Sequence, residues 1–297
     1  MNIPDLYCLG CPVWACRDWI GSVFPSETDP SNLLSEYAKR FNTVEGNSFY
    51  YALPPMATLE KWMAESGPGF RFCPKFSKAI THERRLYNAA DETAAFLKAL
   101  ETLQHGERLG PSFLQLPPSF NANSMDTLEN YLKSLPSDFS YALEPRHISW
   151  YDQGDNERRL DDLLETLAID KAIFDSRPLF AAEAQDDEER AAQSRKPQTP
   201  VRQKAIGKRP FLRFVGSNDL DANDNWIKEW APIINKWILE ERQPYLFAHC
   251  PNEAFAPYFA RRLNRQLRKL NPLLPEMPSF ASDSEQSEGD SEQLSLF

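Results

Sequence analysis

The sequence predicts an α/β protein folded as a TIM-type (β/α)8 barrel. Three observations point there. Eight short apolar runs of β-type composition are spread along the chain, the segments between them repeat their apolar residues at helical spacing, and 297 residues with 41% apolar content suffice for one large core. The rival arrangement, an open doubly wound sheet, needs a glycine-rich turn after its first strand, and GCPVWAC is not GxGxxG.

In order, the runs are LYCLG near Leu6, FNTVEG from Phe41, GFRFCPK from Gly69, PSFLQLP from Pro111, YALEPRH from Tyr141, KAIFDS from Lys171, PFLRFVG from Pro210 and PYLFAHC from Pro244. Between them, DETAAFLKALETL places Phe96, Leu97, Leu100 and Leu103 on one helical face, and MDTLENYLKSL does the same with Leu128, Tyr131, Leu132 and Leu135. In the last helix Phe255, Phe259, Leu263 and Leu267 recur every fourth residue, with Arg261, Arg262, Arg265 and Arg268 mostly off that stripe, as a solvated face. The barrel is expected to span residues 1–276, and residues 277–297 to form a disordered acidic tail. The polar stretch at about 181–209 reads as an insertion after the sixth strand, a solvated helix followed by a mobile linker. A sharper reading makes Arg202, Lys204, Lys208 and Arg209 an arm over the barrel mouth that meets a phosphate-bearing ligand.

The net charge is −10, and half of it comes from Asp283, Glu285, Glu288, Asp290 and Glu292 in the tail. The body is thus mildly acidic, which argues against a broadly basic, nonspecific nucleic-acid binder. No apolar run reaches the length of about 18 residues that a membrane helix requires. The start MNIPDLYCLG lacks the regions of a signal peptide, so a cytoplasmic protein without a membrane partner is expected. Five irregularly spaced cysteines fit reduced thiols. CLGCPVWAC lacks the second CxxC pair of a zinc or cluster site.

Side chains at the C-terminal ends of barrel strands, and in the loops after them, converge on one face. Glu45, Asn47, Lys75, Gln115, Glu144, Arg146, His147, Asp175, Arg213 and His249 all fall at such positions. Two glutamates on separate strands, Glu45 and Glu144, would divide acid and base roles if burial raised one pKa while Arg146 or Lys75 held the other ionised. That pattern suits hydrolysis or proton transfer. His82, His147 and His249 with Glu45, Glu144 and Asp175 could instead hold a divalent metal, but no HxxxH or HxH spacing supports it, so no cofactor is expected. Arg213 with the backbone of Gly216 and Ser217 stands where many barrels hold phosphate.

The segments GCPVWACRDWIGSVFP, TVEGNSFYYALPP, FRFCPKFSKAITH, LGPSFLQLPPSF, ALEPRHISW and FLRFVG resemble, in order, the motif series of the YecE-like family, a domain-of-unknown-function family, from about Leu6 to Leu270. The resemblance implies a TIM-type barrel with polar residues clustered at its mouth and no established reaction. The family-like positions are Trp14, Trp19, Glu45, Asn47, Lys75, Thr81, His82, Gln115, Glu144, Arg146, His147, Trp150 and Asp175. The first motif departs from the usual GxxGW form, since Cys11, Pro12 and Val13 separate Gly10 from Trp14. Barrels of the sugar-isomerase and endonuclease-IV type are similar at the level of fold, which does not carry function.

The chain ends in QLSLF after an acidic, serine-rich lead that cannot bury a core. This pentapeptide resembles the motif with which bacterial replication and repair proteins bind the sliding clamp. On that resemblance Gln293 would hydrogen-bond at the pocket edge, Leu294 would fill a subsite, and Leu296 with Phe297 would enter the main apolar pocket. Burying three such side chains gives roughly 5–8 kcal/mol gross, and ordering the segment returns about 2–5 kcal/mol, so micromolar tethering is expected. Function then divides between a clamp-tethered barrel in DNA maintenance, an enzyme acting on a sugar or sugar phosphate with an incidental tail, and a non-catalytic DNA-binding module, the last disfavoured by the acidic body.

Overall fold

A computed structural model of the protein describes residues 6–283. Its eight strands are β1 (Cys8–Cys11), β2 (Thr43–Gly46), β3 (Arg71–Pro74), β4 (Ser112–Gln115), β5 (Tyr141–Glu144), β6 (Asp170–Asp175), β7 (Phe211–Val215) and β8 (Tyr245–His249). They pair in parallel in the order β3-β2-β1-β8-β7-β6-β5-β4. The ends meet through bridges from Phe72 to Leu109 and from Lys75 to Phe113, so the sheet closes on itself. Each of the eight runs read from the sequence supplies one strand.

The connections carry α1 (Leu33–Ala38), α2 (Ser48–Tyr51), α3 (Met56–Ser66), α4 (Ala90–His105), α5 (Met125–Ser134), α6 (Asp155–Thr166), α7 (Arg177–Phe180), α8 (Asp187–Arg195), α9 (Asp224–Leu239) and α10 (Ala256–Leu270). The longer ones bury most of the stripes expected of them, Phe96, Leu100 and Leu103 in α4, Leu128, Tyr131 and Leu132 in α5, and Phe259, Leu263 and Leu267 in α10, whereas Leu97 and Leu135 are only partly buried and Phe255, in the turn before α10, is exposed. Among the described residues no helix is long and apolar enough to cross a membrane.

Inside the barrel, Cys8, Cys73, Phe113, Ala142, Ala172, Phe211, Tyr245 and Phe247 form a closed apolar cluster. Small residues on β5 and β6 face phenylalanines on β4, β7 and β8, which fills the bore with side chains as barrels of this size require. Between β1 and β2 a side chain completes the ladder. The Tyr37 hydroxyl of α1 accepts from the Cys11 N–H at 2.7 Å and donates to the Thr43 carbonyl at 2.8 Å. A Cβ at Gly10 would lie 2.0 Å from that carbonyl oxygen, so only glycine fits this crossing.

Two expectations from the sequence are corrected. The stretch at 181–209 is not a free arm. Asp186 caps α8 through the Glu189 N–H at 2.7 Å, and Asn218, in the loop after β7, binds both Asp186 and Glu189 at 2.7 Å. Arg202 pairs with Glu157 of α6 at 2.7 Å, and the Arg209 backbone N–H meets Asp170 at the start of β6, the end of the barrel opposite the mouth. The packed body also runs past 276. Phe280 is buried, the N–H groups of Ala281 and Ser282 donate to the Val23 and Ser22 carbonyls, and Arg261 pairs with Asp283 at 2.7 Å while its guanidinium lies 4.1 Å from the centre of the Phe280 ring. Arg261 therefore clasps the C-terminal segment instead of standing free in solvent. Gln293, Leu294, Leu296 and Phe297 lie outside the described residues.

Candidate active site

Strand alternation decides what faces the mouth. Two residues beyond the inward Cys73, Phe113, Ala142, Ala172, Phe211 and Phe247 lie Lys75, Gln115, Glu144, Phe174, Arg213 and His249, and Glu45 of β2 stands level with Cys73. Apart from Phe174, these side chains form a polar layer directly above the apolar one.

Arg213 is its centre. Its guanidinium grips Glu45 with two bonds, Nε to Oε1 at 2.7 Å and Nη2 to Oε2 at 2.9 Å, and gives Nη1 to Glu144 Oε2 at 2.7 Å. Arg146 pairs with the other oxygen of Glu144. His249 Nε2 lies 2.8 Å from Glu45 Oε1, and the Asn47 amide spans Glu45 and the Pro12 carbonyl at 3.0 Å each. Both carboxylates are fully committed.

Electrostatics follow from this geometry. Burial pushes the Glu45 and Glu144 carboxyls up, but the arginines, with His249 beside Glu45, outweigh it, leaving Glu45 well below the usual range and Glu144 at about 2. The expected division of acid and base roles between them is therefore overturned, since both stay ionised. Burial, opposed by Glu45, brings His249 down to about 4, so the neutral ring donates its Nε2 proton to that carboxylate. Lys75 lies partly buried with Nζ 4.2 Å from the centre of the Tyr50 ring, and burial together with the charge of Arg213 lowers it to about 7. His82 stands in the π-helical turn Ala79–Glu83, its Nδ1 2.8 Å from Thr81 Oγ1 and its ring edge-on to Tyr50. Burial and Lys75 lower it to about 4. Just beyond it Arg85, Leu86 and Asn88 hold positive φ, a strained stretch of the kind that clusters at functional rims.

Other expected residues sit elsewhere. Asp175 is one position out of phase with Phe174 and points outward, accepting from Trp230 Nε1 at 2.7 Å and pairing with Arg177 at 2.7 Å. His147 caps the turn Ile148–Tyr151 through the Ser149 N–H at 3.1 Å. Trp150 is buried and donates to the Phe120 carbonyl, and Trp14 packs edge-on against Trp62 and Phe72. The phosphate site expected after β7 is not formed. The Gly216 and Ser217 N–H groups are spent on the His249 carbonyl and Asn223 Oδ1, and Arg213 on its two glutamates. Among the described residues no three His, Cys, Asp or Glu side chains converge as metal ligands would. A cavity of about 500 Å³ lined by Arg71, Ser140, Arg209 and Tyr245 opens at the opposite end of the barrel, where the strands begin.

Two groups at the mouth were missed. Lys196, at the C-terminal end of α8, lies 6.0 Å from the centre of the Phe174 ring, and burial with Arg213 lowers it to about 8. Glu253, in the turn after β8, is raised to about 7 by burial against the opposing charge of Lys196. Trp19 Nε1 holds its backbone carbonyl at 2.9 Å, while its Oε2 is buried without a hydrogen-bond partner. The rule that selected Glu45 would have selected Glu253, whereas Lys196 carried no signal because its helix belongs to the inserted segment.

A family described as "Protein of unknown function DUF72" matches residues 8–281. The UPF0759 protein YecE of Escherichia coli K12 is 34% identical over 276 residues, 93% of this chain and 98% of its own length. YunF of Bacillus subtilis is 28% identical over 148 residues, 48% of this chain and 51% of its own length. Among solved structures, a DUF72 family protein of Thermotoga maritima superposes with a TM-score of 0.64 at 20% identity, covering 89% of this chain and 98% of that one. A DUF72 family protein of Enterococcus faecalis reaches 0.66 at 19%, covering 88% and 95%. At such identity these structures support the fold.

Proposed function

The chain belongs to the DUF72 family, and on that premise we propose that the barrel mouth is an active site for proton transfer on a small anionic substrate, a sugar phosphate or a similar phosphate-bearing molecule. One observation carries the reading. Glu45 and Glu144 are consumed by Arg213 and Arg146, while neither Lys75 nor Lys196 has a carboxylate partner among the described residues, so the mouth of an acidic protein keeps surplus positive charge. A bound anion would answer that surplus. Lys75, Lys196 and Glu253, at about 7, 8 and 7, can exchange protons near neutrality, which suits hydrolysis or isomerisation. Thermal unfolding with inorganic phosphate, pyrophosphate and sugar phosphates tests the reading. Stabilisation of the wild type and its loss in the Lys75→Met, Lys196→Met double variant are expected. Equal stabilisation by neutral sugars would overturn it.

The terminal QLSLF favours a second, compatible reading in which the tail tethers the barrel to the DNA sliding clamp and the phosphate-bearing substrate belongs to DNA under maintenance. It rests on sequence alone, because the pentapeptide lies outside the described residues. Five free thiols support a cytoplasmic setting.

A further inference from the structure

The amine of Lys75 stands in the barrel mouth against two aromatic rings. The residue follows β3, two residues beyond the inward-facing Cys73, so its amine enters the mouth layer. Tyr50 and Phe113 hold Nζ by ring contacts, 4.2 and 5.9 Å from the two ring centres, and no hydrogen-bond acceptor among the described residues reaches it. The carboxylates nearest in charge, Glu144 and Glu45, are already saturated by arginines, so nothing pins the amine as a structural ammonium. Arg146 and Arg213 add positive charge beside it, which disfavours a third cation. The Tyr50 ring face works in the opposite direction, and burial brings the group to about 7, so ammonium and free amine are both populated near neutral pH.

We propose that Lys75 is a catalytic residue that forms an imine with the carbonyl group of a small phosphorylated aldehyde or ketone, a proposal that rests on the anion-binding reading of the same mouth. The Nζ lone pair attacks the carbonyl carbon and a C–N bond forms. The two amine hydrogens pass to the former carbonyl oxygen, the C–O bond breaks, and that oxygen leaves as water. Nothing is oxidised or reduced. The imine nitrogen then takes up a proton from solvent, and the resulting cation draws electrons from the adjacent carbon, so a proton or a carbon fragment can leave there. Arg146 and Lys196 remain available to the phosphate.

Reductive trapping tests this. The full-length protein is incubated with glycolaldehyde phosphate and sodium cyanoborohydride near neutral pH, where the reductant delivers hydride to the imine carbon and fixes a secondary amine, and each lysine is read by peptide mass spectrometry. Labelling of Lys75 about tenfold above the other lysines is expected, with protection by excess inorganic phosphate and weaker labelling by unphosphorylated glycolaldehyde. Lys75→Arg keeps a positive charge and should retain phosphate-induced stabilisation while the adduct disappears, and Lys196→Met should weaken protection by phosphate and lower the adduct towards that of unphosphorylated glycolaldehyde, with the remaining label still on Lys75. Uniform labelling of surface lysines, or preferential labelling of Lys196, would overturn the assignment. If phosphate stabilises the protein and Lys75 stays unlabelled, the imine fails alone. If neither binding nor adduct is seen, the anion-site reading fails with it.

Discussion

Arg213 of β7 holds Glu45 of β2 and Glu144 of β5 at 2.7 Å each, joining three strands of the barrel through one guanidinium. All three side chains are almost fully buried, so each charge depends on the others for compensation. This bridge takes up both glutamates and leaves Lys75 and Lys196 without a carboxylate partner among the described residues.

Arg213→Met is accordingly expected to cost about 3–5 kcal/mol, because it leaves the buried Glu45 with only His249 and Asn47 and the buried Glu144 with only Arg146. Lys75→Met should leave the melting temperature unchanged or raise it, since a partly buried amine without an acceptor contributes little to folding. Melting curves of the two variants side by side check this. A large loss in Lys75→Met would make that residue structural.

The pH dependence should carry a matching signature. Lys75 is lowered to about 7 in the folded state, and an unfolded lysine titrates near 10.4, so between these values the unfolded chain binds more protons and stability rises with pH. Glu253 runs the other way. Raised to about 7, it contributes stability that is full below its unfolded pKa, near 4.3, and is lost as pH rises to about 7. The stabilising effect of Lys75→Met should thus be larger at about pH 6 than at about pH 10, and that of Glu253→Gln larger above about pH 7 than at about pH 4. Urea titrations of each variant against the wild type at these pH values measure both.

Asp175→Ala should destabilise by about 2–3 kcal/mol, through lost bonds from Trp230 and Arg177, without weakening phosphate binding. A loss of ligand binding at unchanged stability would return Asp175 to the site.

Phe280 and Asp283 anchor the start of the tail to the body. A chain ending at Pro278 loses the buried Phe280 and its Arg261 contacts and should be less stable by about 2–4 kcal/mol, whereas one ending at Asp283 should melt like the full protein. A peptide of residues Ser287–Phe297 should bind the purified bacterial clamp in the micromolar range. Leu296→Ala with Phe297→Ala should abolish binding, since it forfeits on the order of 3–6 kcal/mol. Silence of the unmodified peptide at millimolar concentration would end the tether.

The barrel was legible because each strand is a short aromatic or aliphatic run and each long helix a clear apolar stripe, as FLRFV and α10 illustrate. The site was legible only in part. Glu45, Glu144, Arg213 and His249 were found by their positions at strand ends, and Asp175 could have been excluded by parity, since Ala172 and Phe174 on the same strand face inward. What sequence could not show is pairing. Which carboxylate an arginine takes decides whether a glutamate is an acid, a base or a fixed charge, and that depends on residues 69 and 168 positions apart. The docking of Phe280 was hidden for a similar reason, because an acidic, serine-rich context masked one aromatic anchor.

The Tyr37 hydroxyl between Cys11 and Thr43 makes the opening of the barrel a cooperative affair of helix and sheet. A rung of the β1–β2 ladder belongs to α1, so the Cys11 amide can be protected from solvent exchange only while that helix is docked. Deuterium uptake at Cys11 should then keep pace with uptake along Leu33–Ala38 and lag only in step with it. In Tyr37→Phe the same amide should exchange early while the rest of β1 stays slow, a local breach away from the β3–β4 seam where only isolated bridges close the ring.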